Sequence, residues 1–153
     1  MHYFNIRMNI VAMIITFCST ICFSGTGNED LKKISKADVG AKLIKSTNAF
    51  LNDFFEKAEK GEYYDFSSVA TEAVVNGITP AIQQQVNSEL EKTAGEYKGA
   101  IYKEAFAQGS EYKILRFMGK FSKGVPIELR VVYDKNEKIA GYWAVPWKDN
   151  LQL

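Results

Sequence analysis

Acid–base chemistry in this 153-residue chain would have to be carried by carboxylates and phenols. The single histidine is His2 and the two cysteines are Cys18 and Cys22. All three lie in a leader-like stretch, so a chain that sheds it keeps no imidazole and no thiol. Such a chain has no thiolate nucleophile, no Ser-His-Asp triad, no disulfide, and no zinc or copper site built on sulfur or imidazole. No catalytic residue, metal ligand or cofactor is assigned. What remains is Asp or Glu working with Tyr, which needs a carboxylate in an apolar pocket where desolvation raises its pKa. Glu104, beside Tyr102, is the one candidate, if its strand turns it inward. Asp53 and Glu56 fall on or near the polar side of a helix. The expectation is a protein that is not an enzyme.

The binding chemistry is aromatic. Val131 to Trp147, VVYDKNEKIAGYWAVPW, is rich in Tyr and Trp and reads as a closing hairpin. Tyr133 and Trp143, with Phe117, Tyr102, Phe106 and Phe54, either close a core or line a pocket for a small molecule or peptide. A buried Tyr or Trp keeps a polar tip that needs a partner, and a pocket of aromatic walls with a few polar ends is the usual form of a small-molecule site. Tyr63 and Tyr64 read as a cap on the edge of that space.

The first residues, MHYFNIRMNIVAMIITFCSTICFSG, hold Arg7, an apolar run from Ile10 to Cys18, and small residues near Ser24 and Gly25. This is the layout of a secretory signal peptide over residues 1–24, cleaved after Ser24, and it places the protein in the periplasm or outside the cell. The alternatives are an uncleaved anchor, which the polar Thr16, Ser19 and Thr20 disfavour against the ~20 apolar residues a span requires, and a lipid-modified Cys22, which Ile21 disfavours. Lys and Arg number 19 against 18 Asp and Glu, and losing Arg7 evens them. A neutral, mixed surface offers nothing to nucleic acid, and none to a membrane after cleavage.

The elements that must position these residues divide into a helical half and a strand half, the α+β pattern. Residues 25–40 read as a loose arm or a short helix, and 41–153 as one domain. Leu43, Ile44, Thr47, Phe50, Leu51, Phe54, Phe55 and Ala58 recur at helical spacing up to a stop at Gly61. A shorter helix follows in DFSSVATEAVVNG, with Val69, Ala70, Ala73 and Val74 inward. A third begins with Thr79 as cap and Pro80 in the first turn, and ends at Gly95. Four strands, near 97–108, 111–122, 125–134 and 138–146, then form an antiparallel meander.

Register follows from keeping each apolar set on one face. A Ser122-Lys123-Gly124 loop sets Phe117 opposite Leu129, and a Lys135-Asn136-Glu137 loop sets Leu129 opposite Trp143. Glu137 or Asn136 then takes the left-handed position. The other face carries Ile114, Arg116, Met118, Arg130, Val132 and Tyr142, with Arg116 opposite Arg130 and Glu128 as the nearest acid. It reads either as an ordinary solvated face or as a homodimer interface.

The helix ending FLNDFFEKAEKGEYYDF, the passage LEKTAGEYKG and the closing VVYDKNEKIAGYWAVP resemble small exported cystatin-like domains of unknown function in the nuclear-transport-factor-two-like superfamily. The likeness covers residues 41–147. It implies N-terminal helices packed on one face of a bent four-stranded sheet, a cone with an apolar pocket at its open end, and dimers formed through the other face. It does not choose between enzyme, binder and assembly module.

Overall fold

A computed structural model describes residues 31–151; the signal-peptide reading lies outside them. The long amphipathic helix α2 runs Ala41–Glu59, and its apolar stripe from Leu43 to Phe55 is buried as the spacing requires. Gly40 and Gly61 bound it, both at positive φ. Helix α4, Pro80–Ala94, is capped by Thr79 and ends at Gly95. Helix α3 is confined to Glu72–Gly77. Residues 66–70 form a turn in place of its expected first half, Ala70 bridges to Ile139, and Ala73 is exposed.

The sheet has five antiparallel strands in chain order, not four. The arm expected at residues 25–40 supplies the extra one. Strand β1, Leu31–Ile34, pairs with the far end of β2, and a one-turn helix α1, Lys36–Val39, follows under a Ser35–Asp38 capping box. Strands β2 to β5 are Tyr97–Gln108, Tyr112–Phe121, Ile127–Asp134 and Ile139–Pro146.

The helices cover the face carrying Leu115, Phe117, Leu129, Val131 and Tyr133, forming one core with Phe50, Leu51, Phe54 and Phe55. Phe117 lies opposite Leu129 and Arg116 opposite Arg130, as the pattern requires. The last hairpin differs. Glu137 takes the left-handed position at φ 57°, while the Asp134 carboxylate accepts from the Asn136 and Lys138 amides. A bulge follows. Tyr133 pairs with Ile139 but Val132 pairs with Gly141, so Leu129 faces Ala144 instead of Trp143. One extra residue exchanges the faces of everything beyond it. Tyr142 turns inward, edge-on to Phe50 and Phe54 at ring separations of 5.6 and 5.2 Å. Trp143 turns outward, its ring occupying the space beside Gly141 that a side chain there would fill.

Candidate functional site

The six aromatics read from the sequence as pocket walls do not come together. Phe54, Phe117 and Tyr133 are buried in the core, with the Tyr133 hydroxyl 2.9 Å from Thr47 Oγ1. Burial raises the Tyr133 pKa, and the Thr47 bond opposes that. Tyr102 packs edge-on against Phe117 at 5.5 Å and is half-buried. Phe106 pairs with Ile114 and so lies on the opposite face, as does Trp143. The aromatic interior is therefore packed core, and two of its expected members stand on the far side of the sheet.

That far side is an ionic row. Arg116 has no exposed side-chain surface and bonds to Glu104, to Glu128 at 2.7 Å and to the Lys148 carbonyl, under the Trp147 ring at 4.5 Å. Arg130 reaches Glu128 at 2.7 Å and Lys33 reaches Glu104 at 2.5 Å, so five alternating charges run across the sheet. The register foresaw Glu128 beside the two arginines. Glu104 was the candidate for an inward catalytic carboxylate, and a bulge at Lys103 turns it outward instead. Burial acts to raise the Glu104 pKa, but hydrogen bonds from Lys33 and Arg116 outweigh it and hold the carboxyl below its usual range. A carboxylate held ionised by two cations is a poor general base. Of the six residues expected on a dimer face, Tyr142 lies in the core, and Ile114 and Arg116 are already buried within the chain. Met118, Arg130 and Val132 are half-buried.

A concavity lies elsewhere, at one end of the molecule. A cleft of about 520 Å³ opens between the last turn of α2, the outer side of α4 and the start of β2. Its floor is Phe55 stacked on Tyr97 at 4.2 Å and 20°, with Phe121 edge-on to both. The Tyr97 hydroxyl donates to Asn52 Oδ1 at 2.9 Å, and burial pushes its pKa up to about 12. Tyr63, 53% exposed, stands at the rim. Its neighbour Tyr64 packs instead among Phe50, Phe54 and Phe66, and Gln83 fixes its backbone through both amide atoms. The pair read together as a cap is thus divided, with Tyr64 packed against the core and Tyr63 exposed.

The walls are polar. Gln84, Asn87 and Ser88 come from α4, and Glu59, Glu62, Glu91 and Glu96 face a single cation, Lys98. Lys98 is itself tied to Glu96 at 2.5 Å. Asn87 Oδ1 is buried and has no partner among the described residues. None of the six expected ligand residues borders this cleft. Its floor was visible in the sequence only as helix and strand core, and its acids only as solvated helix positions.

Among the described residues no cluster of three or more His, Cys, Asp or Glu could hold a metal ion, and no helix is long and apolar enough to cross a membrane. No family model, no curated protein and no solved structure matches this chain.

Proposed function

We propose that the protein is an exported, non-enzymatic binding domain whose ligand sits in the cleft between α2, α4 and β2. The observation that carries this reading is the combination of a volume within the range of small-molecule sites with an aromatic floor and polar walls. The cone-shaped description draws on the cystatin-like resemblance, and the export reading on the leader-like layout of residues 1–24. The test is by NMR. Four probes, hexamethylenediamine, hexanediol, adipate and maltose, are titrated while the ring signals of Tyr63, Tyr97 and Phe121 are followed. At least one should shift those rings and leave Phe117 and Tyr133 unmoved, and Ser88→Trp, which fills the cleft from an exposed helix position, should abolish the shift. If none of the four moves the cleft rings at millimolar concentration, the binding reading falls.

A second reading, a homodimer through the outer sheet face, is favoured by one observation. Ile101 is 43% exposed and shares that face with half-buried Met118, Val132 and Trp143.

A further inference from the structure

We infer that the ligand of the cleft is a small aliphatic amine, bound as its ammonium ion. The inference rests on the binding reading above and deepens it.

Three features of different origin point to positive charge. The first is the backbone. The cleft is bordered by Ala58 and Glu59 in the last turn of α2 and by Glu91 in the last turn of α4, with Gly61 and Gly95 just beyond. Both helices therefore present their C-terminal ends, which carry partial negative charge and favour a cation nearby; at α4 the Lys123 ammonium already meets one such carbonyl, that of Lys92, so the freer end is that of α2. The second is the side-chain inventory. Four carboxylates line the space against one lysine, and that lysine is paired with Glu96. Glu62 has only a loose contact with Lys57, at 3.9 Å. Glu59 and Glu91 have no ion-pair partner among the described residues.

The third is the hydrogen-bonding character of the walls. The carboxylates of Glu59, Glu62 and Glu91 are acceptors, and only Glu62 has even a loose ion contact of its own. An ammonium group, with three donors and no acceptor, answers such a set; a carboxylate or phosphate would add acceptors to acceptors. The apolar part of the ligand is provided for too. Half-buried Tyr97 and exposed Tyr63 offer ring surface to methylene groups and, in the case of Tyr63, to the charge itself.

The same six-carbon series tests the inference apart from the binding reading. Hexamethylenediamine, hexanediol and adipate share a chain length and differ in charge. The diamine should shift the Tyr63 and Tyr97 rings at the lowest concentration and adipate should not shift them. Raising salt from about 0.02 M to about 0.5 M should weaken diamine binding, because exposed charges are screened over about 10 Å or less. Replacing Glu59→Gln together with Glu91→Gln should weaken it about fivefold, the size expected of two solvent-facing ion pairs. If hexanediol, maltose or adipate binds as well as the diamine, the cleft is a binding site but the amine assignment is wrong. Diamine binding indifferent to both glutamine substitutions and to salt also overturns it. Should no probe bind, both inferences fall together. Both glutamate positions are exposed on helix surfaces, so the variant can be checked for an unchanged wild-type fold before it is titrated.

Discussion

Two tyrosines in the core carry the same hydroxyl into opposite circumstances. Tyr133 Oη has Thr47 Oγ1 at 2.9 Å. Tyr142 Oη is buried with no partner among the described residues, and desolvation drives its pKa far upward. A buried polar atom left unpaired costs about 1–3 kcal/mol, whereas a made bond contributes about 1 kcal/mol net. Removing the hydroxyl should therefore act with opposite signs at the two sites. Tyr142→Phe is expected to stabilise the protein by about 1 kcal/mol, and Tyr133→Phe to destabilise it by a similar amount. Both follow from urea midpoints at constant m-value. Two losses of equal size would mean that Tyr142 has a partner in solution, such as a bound water. Neither hydroxyl's fate was legible in the sequence, which shows an aromatic at each position but not what faces its oxygen.

Among the elements, the junction between α4 and β2 has the least freedom. Gly95 adopts φ 85° and ψ −162°, a region nearly closed to any residue with a β-carbon. A β-carbon there would also lie 2.2 Å from Ser122 Oγ and 3.3 Å from the Lys123 amide nitrogen. That tightness is structural, because the amides of Glu96 and Lys123 hold the junction to the β3–β4 loop. Gly95→Ala should cost about 2–3 kcal/mol in denaturant unfolding from backbone strain and crowding combined. A loss under about 0.5 kcal/mol would mean that the turn relaxes freely. This glycine was legible as a helix stop, and α2, α4 and four of the five strands were legible from their periods. Two elements were not. Strand β1 is four residues long and owes its existence to pairing with a segment about seventy residues away, which no local period records. The bulge before Gly141 adds one residue inside an otherwise regular alternation. Because a period of two carries no mark of where it slips, Trp143 and Tyr142 were read onto each other's faces.

For the whole molecule the open question is what meets the outer face of the sheet. Its centre is closed by the chain itself, with Trp147 lying over Arg116 and the Trp147 amide donating to the Pro126 carbonyl. A buried ionic row of that kind is weak support for stability by itself, since desolvation offsets much of the attraction. Around it stand Ile101, Met118, Val132 and Trp143, too exposed for a core and too apolar for a face that only water touches. Covering such a rim recovers roughly 25 cal/mol per Å² before association costs, and a stable pair needs about 800 Å² on each partner. If the rim is a dimer contact, Met118→Lys with Val132→Lys should convert a dimer to a monomer in sedimentation while the far-ultraviolet spectrum stays unchanged, because both side chains point away from the helix-covered core. Trp143→Ala should act in the same direction and lower monomer stability by far less than Tyr142→Ala. Full burial of a large aromatic is worth about 3–5 kcal/mol, and only Tyr142 has it. A wild-type chain that sediments as a monomer near millimolar concentration would remove the assembly reading and leave the cleft as the molecule's one proposed point of contact.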